Sequence, residues 1–359
     1  MKLKKATLAA AVTGLCAMGF AGQASAAIYG GAALDVKNLH IVIQDETSGA
    51  FIPATSFDFR TVTGSDLNGV LGAGDIKSCG GTPSSNSCGG SGIALVLNAA
   101  PSSIPGGVRV DNAFTFVGPS GADYGSADNV IWDAALAGDV VTGTHTQGIA
   151  EAELTTGKSA GATSTIRSTT GFTLTFAVAS TGKLMLTADA DPDLYAELID
   201  PLATAGTASA SLSTSVRLAG TRSAALGGGS VTVNWAPDGN LLAADCTKSG
   251  SASGGVACTE DLDDLNLNLS VSAPFGSSDG YSTEFGAGTG AWTAGTAAAG
   301  SWGKFGVTIT GLPAGVYSLT LENTQEANVT RVPEPGALAL LGLGLGGLGI
   351  MRRRKLAKA

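Results

Sequence analysis

Short runs in which apolar and polar residues alternate, broken by small and turn-forming residues, constrain this chain more than any other feature. In "GFTLTFAV" the side chains of Phe172, Leu174, Phe176 and Val178 share one face of an extended strand, with Thr173 and Thr175 opposite. "SLSTSVRLAG" groups Leu212, Val216 and Leu218 in the same way, "SVTVNW" groups Val231, Val233 and Trp235, and "KFGVTITG" groups Phe305, Val307 and Ile309. "GVYSLTLEN" adds Tyr317, Leu319 and Leu321, while "LHIVIQ", "IALVLN" and "AFTFVG" are earlier candidates.

Turn chemistry agrees with that period. Trp235 is followed by "APDGN", where Pro237 presets φ and Gly239 tolerates positive φ. "GLPAG" at Gly311 to Gly315 reads as a hairpin joining two strands. With 53 glycines and only 14% charged residues, the chain favours many short strands over helices. The expected fold is all-β: an antiparallel β-sandwich-like body, one continuous unit or two packed subdomains, with few short helices. "SADNVIWDAAL" at Ser126 to Leu136 is the best helix signal, behind a Ser cap, and "GIAEAELTTG" suits a helix or a strand. No fixed-period repeat stands out, which weighs against a propeller or solenoid.

The N-terminus is a separate element. "MKLKKATLAAAVTGLCAMGFAGQASAA" has a basic start, an apolar run and a small-residue site at Ala24-Ser25-Ala26, the pattern of a secretory signal peptide over residues 1–26. Cleavage after Ala26 by signal peptidase, following Sec export, would make Ala27 the new N-terminus and remove Cys16. A lipoprotein would want a small residue before its cysteine, and Leu15 stands before Cys16.

The other end, residues 332–359, has three parts: Val332-Pro333-Glu334-Pro335, an uncharged apolar stretch from Gly336 to Met351, and the basic cluster Arg352, Arg353, Arg354 and Lys355. As a helix the apolar stretch would span roughly 24 Å, short for a membrane crossing but too glycine-rich for a good helix in water. The basic cluster would hold the extreme C-terminus in the cytoplasm and place the body, residues 27–331, outside. This order resembles the PEP-CTERM sorting signal of exosortase-processed bacterial proteins. The resemblance implies a Gram-negative envelope, a single C-terminal transmembrane helix in an inner-membrane-anchored precursor, and exosortase processing near the PEP. It further implies release or attachment at the cell surface or in the extracellular matrix, beside extracellular polysaccharide. "VTVNWAPDGN", "DLDDLNLNLS" and "ITGLPAGVYSLTLENTQEANV" also resemble β-rich ectodomains of uncharacterised PEP-CTERM proteins, and carry no activity with them.

Both ends are basic. Eight of the 20 Lys+Arg and one of the 29 Asp+Glu lie in them, which leaves 12 against 28 in residues 27–332 and a net charge of about −16. Nucleic acid or an anionic membrane surface is a poor partner for such a body, because phosphate binding relies on Lys/Arg clusters. Cations and neutral glycans suit it better. Four cysteines remain, Cys79, Cys88, Cys246 and Cys258, and each consecutive pair closes a short Gly/Ser-rich loop. Three connectivities are possible, and the local one is the simplest in an oxidising compartment. A zinc site would want closer spacing and histidine partners.

Catalytic patterns are not met, and no cofactor is indicated. "GPSGA" at Gly118 to Ala122 misses the last glycine of a nucleophile elbow, and Ala152 stands where a P-loop ending in "GKS" needs glycine. His40 and His145 are the only histidines and read as structural or solvated. The best metal-like spacing is "TADADPDLYAELID", where Asp189, Asp191 and Asp193 alternate as in a calcium loop, but Leu194 stands where an EF-hand needs glycine. On a strand these three share one face, so a solvated acidic edge competes with a calcium site. "EDLDDLNLN" at Glu260 to Asn268 reads likewise, as a solvated acidic face with a calcium role as its competitor, and Trp292 is the indole best placed for sugar stacking. The reading is a non-enzymatic structural or adhesive surface protein. A glycan- or calcium-binding module is the first alternative, and a polysaccharide-processing enzyme using a carboxylate pair is the second.

Overall fold

A computed structural model describes residues 27–88, 97–104, 109–112, 114, 116–132, 135–137, 140–155, 159–199, 206–241, 245–273 and 302–331. Ala24, Ala26, Trp292, the sorting residues Val332 to Pro335, the apolar stretch and Arg352 to Lys355 lie outside them. Among the described residues no helix is long and apolar enough to cross a membrane.

The first half of the chain forms β1 (Ala27–Asp45), β2 (Ala54–Leu67), β3 (Val70–Leu71), β4 (Ile76–Thr82), β5 (Ser85–Asn86), β6 (Leu97–Ile104), β7 (Tyr124–Trp132), β8 (Ala135–Ala137) and β9 (Val140–Leu154). The second half forms β10 (Ser159–Ile199), β11 (Gly206–Arg222), β12 (Ser230–Trp235), β13 (Cys246–Ser249), β14 (Ala257–Asp263), β15 (Ser270–Ala273) and β16 (Gly303–Arg331). Two short 3-10 turns, Ala224–Leu226 and Ser253–Gly255, are the helical elements described. The chain is therefore all-β, and every strand pair is antiparallel.

Two long strands organise it. β10 and β16 pair along nearly their whole length, from Ser159↔Thr330 to Ala190↔Gly303. The other edge of β10 is lined by β2 in its first half and by β1 in its second. From β1 the sheet continues through β9 and β7 to β6, and from β16 through β11 and β12 to β13. One hydrogen-bonded network thus replaces the two separate sheets of a simple sandwich, but its halves still face each other. A Cβ added to Gly30 in β1 would come within 2.9 Å of the Ser209 carbonyl in β11. A small apolar void of about 30 Å³ lies between Val36 and Leu39 of β1 and Trp235, Phe305 and Leu321 of the facing strands.

The passage between layers corrects one expectation. "GLPAG" is not a hairpin: β16 runs through it, with Gly311 at φ 70° and the ladder with β10 shifting register between Val178 and Thr181. Bulges bend a strand without reversing it, which lets both long strands switch layers at a corner. The helix expected at Ser126 to Leu136 is also overturned. Tyr124–Trp132 is strand β7, and residues 124–131 are all buried. The Ser cap was outweighed by tertiary pairing with β6 and β9 on both sides. "GIAEAELTTG" is mostly strand, in β9.

The apolar faces read from the alternation form the core. Phe172, Leu174, Phe176, Leu212, Val216, Leu218, Val231, Val233, Trp235, Phe305, Val307, Ile309, Tyr317 and Leu319 belong to one buried cluster. Each fully buried aliphatic or aromatic side chain of this kind contributes about 1.5–3 kcal/mol. Both local disulfides form: Cys79 with Cys88, and Cys246 with Cys258. The second joins β13, carried by β12, to β14, which pairs with the first half of β16.

Candidate functional site

Alternation also builds a polar face. On the side of β10, β1, β9 and β7 turned away from the core, paired rows bring together Tyr29 with Glu197 and Glu153, Asp35 with Asp191 and Gln147, and Lys37 with Asp189. The chain segment entering β7 covers one half of this face. On the other half Asp35, Lys37, Asp189 and Asp191 are partly exposed.

Under the covering segment, carboxylates act as pegs. Glu151 accepts from the Tyr29 hydroxyl at 2.7 Å and the Gly118 amide at 3.1 Å, and forms an ion pair with Arg109 in which neither side chain is exposed. Glu153 accepts from the Ser120 amide at 2.7 Å, the Ser120 hydroxyl at 2.8 Å and the Gly121 amide at 3.0 Å. Asp128 accepts from the Asn112 amide at 2.9 Å. Phe116 packs so closely that a Cβ on Gly31 would lie 2.7 Å from its ring. Burial, with the charge of Tyr124 second, pushes the Tyr29 hydroxyl well above the ordinary tyrosine range. Burial also lowers Arg109, raises Glu153, and lifts Asp128 to about 6 against the nearby Arg109 charge. Such a network holds a loop in place, because each buried donor and acceptor here fixes the position of another.

The partly exposed half gathers several residues singled out in the sequence. His145 Nε2 lies 2.5 Å from Asp35 Oδ1, and the Gln147 amide donates to Asp35 Oδ2 at 2.6 Å. The Trp132 ring stands edge-on to His145 with centroids 5.0 Å apart. Asp191 sits directly across from Asp35, and burial, then the Asp35 charge, raise it to about 6. Asp189 accepts from the Asn38 amide at 2.6 Å, and the Lys37 ammonium lies 3.3 Å from the Trp302 ring centroid. Asp189, Asp191 and Asp193 do share a face, and Asp193 lies opposite Ala33. All three are half-buried and hydrogen-bonded into the sheet against β1, so the solvated-edge reading gives way to a sheet interior.

A third group lies around the "APDGN" turn. Asp263 Oδ2 accepts from the amides of Asp238, Gly239 and Asn240 at 2.9, 2.8 and 3.2 Å. Glu260 accepts from the Trp235 indole. The reading of Glu260 to Asn268 as a solvated face holds for Asp261 and Asp264, which are exposed, and is corrected at Asp263, which is only 4% exposed and serves as the anchor of the turn. Burial raises Asp245, Glu260 and Asp263, and mutual repulsion with Asp238 adds to it. Asp245 Oδ2, Glu260 Oε2 and Asp263 Oδ1 are buried with no hydrogen-bond partner. As they stand, the described residues contain no group of three or more His, Cys, Asp or Glu side chains arranged to hold a metal ion.

Arg109, Glu151, Glu153, Asp128 and Tyr29 were not singled out in the sequence. They come from four distant segments, and the alternation of Glu151 and Glu153 in "GIAEAELTTG" was the one local signal of a shared face.

The end of the fold leads into the tail. β16 finishes at Arg331, and Val332-Pro333-Glu334-Pro335 follows without a linker. No curated protein and no solved structure matches the chain. The profile of the PEP-CTERM protein-sorting motif matches residues 331–355. That motif implies an exported protein, anchored in the membrane and then processed, with exosortase as the processing partner. The chain carries, directly after its last described strand, a PEP-CTERM protein-sorting motif.

Proposed function

We propose that this protein is a non-catalytic structural or adhesive component of the bacterial cell surface or extracellular matrix, delivered there by its sorting tail. The supporting observation is the junction at Arg331. Pro333 and Pro335 have no N–H to donate to a sheet ladder, and two of them within three residues disfavour continuing β16 into the motif that exosortase reads. Residues 1–26 direct export, the apolar stretch retains the precursor, and Arg352 to Lys355 fix its orientation. Cleavage near Pro333-Glu334-Pro335 then releases or transfers the body, as in other signals that present a cut site beside a removable apolar tail. The buried carboxylates favour a structural role: Glu151, Glu153 and Asp263 are committed to amides and to Arg109. The open groove of about 430 Å³ beside Asn328 carries one carboxylate, Asp66.

Intact mass and terminal-peptide mapping of protein from the native envelope and medium tests this reading. A chain beginning at Ala27 and ending near the PEP supports it. Retention of Gly336 to Ala359 in every fraction would make the protein an ordinary membrane-tethered one.

A second reading is a calcium-binding surface module, favoured by the three unpartnered carboxylate oxygens of Asp245, Glu260 and Asp263. A divalent cation would offset their repulsion and draw them together. Binding to the native state must then raise the melting temperature. An unchanged melting temperature at millimolar calcium would exclude it.

A further inference from the structure

We infer that the tip of the β2–β3 hairpin rests on the lipid surface of the membrane that holds the precursor; the inference builds on the anchored-precursor reading above. The tip is an Asn68-Gly69 turn with both residues at positive φ, 55° and 78°, and Asp66 Oδ1 accepts the Gly69 amide at 3.1 Å. Asn-Gly suits such a tight two-residue turn, so the tip has a defined shape. Val70 and Leu71 follow it, 62% and 78% exposed. Among the described residues they are the one pair of sequence neighbours in which both are large, apolar and mostly exposed. From Leu67 to Gly74 the chain carries no charge.

Register places this tip where the tail leaves. Leu67 pairs with Ala160, and Ala160 pairs with Val329, so the Asn68-Gly69 turn is level with Thr330 and Arg331. Three strand spacings separate β3 from β16, about 14 Å. From Arg331 to the start of the apolar stretch at Gly336 the chain can reach at most about 17 Å. A bilayer that holds the stretch therefore lies within a short distance of this pole. An uncharged apolar tip suits a lipid interface, and the acidic body favours zwitterionic headgroups over anionic ones.

The test uses the full chain with Cys16→Ala, reconstituted into phosphatidylcholine vesicles and labelled at Leu71→Cys with an environment-sensitive fluorophore. Val316→Cys is the control: Val316 is 54% exposed and lies 14 residues back along β16 from Thr330, roughly 45 Å away. The expected result is that shallow nitroxide lipids quench the Leu71→Cys probe several-fold more than the control, while aqueous iodide quenches it less. Equal behaviour of the two probes on chains that float with the vesicles would overturn the inference and leave anchoring intact. Quenching that follows the protein-to-lipid ratio would assign the tip to contact between copies and overturn it too. Chains that fail to float would remove the anchoring and this inference with it.

Discussion

Arg109 and Glu151, 42 positions apart in the sequence, form an ion pair with no exposed side-chain surface on either partner. Tyr29, Gly118 and, at 3.5 Å, the Tyr124 hydroxyl also donate to the carboxylate, and the Arg109 Nε–H donates to Ser126 Oγ at 3.3 Å. Removing one partner leaves a buried charge uncompensated, which typically costs 3–5 kcal/mol. Glu151→Ala and Arg109→Ala should each destabilise the body by about that amount, and the double variant by clearly less than their sum. Denaturant midpoints of the four proteins measure this, and strict additivity would show that the pair is not coupled.

Stability should rise on mild acidification. Asp128 and Asp191 are raised by burial to about 6, above the ordinary value of 3.8, so the folded chain binds their protons first as pH falls. The folded state carries a charge-burial penalty above pH 6 that is relieved between about 6 and 4. Asp45 behaves in the opposite sense: hydrogen bonds, led by the Ser180 hydroxyl, lower it to about 2, so its contribution is lost only below about pH 4. A melting temperature higher at pH 5.5 than at pH 7.5 is the expected outcome, and Asp128→Asn should flatten that dependence.

Layer spacing depends on Gly30. A Cβ there would meet the Ser209 carbonyl at 2.9 Å, and the obstructing atom is backbone of the opposite layer. Gly30→Ala should cost about 1–3 kcal/mol as the layers are forced apart. Gly64→Ala, where nothing lies within 4 Å, should stay within about 0.5 kcal/mol of the native chain. Equal effects in chemical unfolding would contradict the packing described.

The two disulfides close loops of similar length, with separations of 9 and 12 residues. Loop closure alone gives each about 2–3 kcal/mol. Cys79 and Cys246 both belong to the buried core, but Cys246–Cys258 also joins β13 to β14, strands held by different partners, β12 and β16. Cys246→Ser with Cys258→Ser should therefore lower the melting temperature more than Cys79→Ser with Cys88→Ser. The reverse order would show that joining two separately paired strands adds nothing to loop closure.

Alternation alone determined the strands around Phe172, Leu212, Val231, Phe305 and Tyr317 and their buried faces, because a side-chain period of two is a local property of extended backbone. The C-terminal sorting motif was equally legible, read from its own residues, since charge and apolar length act without tertiary context. Only the tertiary structure decided that "GLPAG" bends a strand through a corner instead of reversing it, and that "SADNVIWDAAL" pairs as β7 between β6 and β9. It alone brought Tyr29, Arg109, Asp128, Glu151 and Glu153 under one covering segment, and turned Asp263 from a surface acid into the anchor of a turn. Those outcomes depend on which distant strands pair and in what register, and a buried charge declares itself only when the partner that neutralises it has arrived.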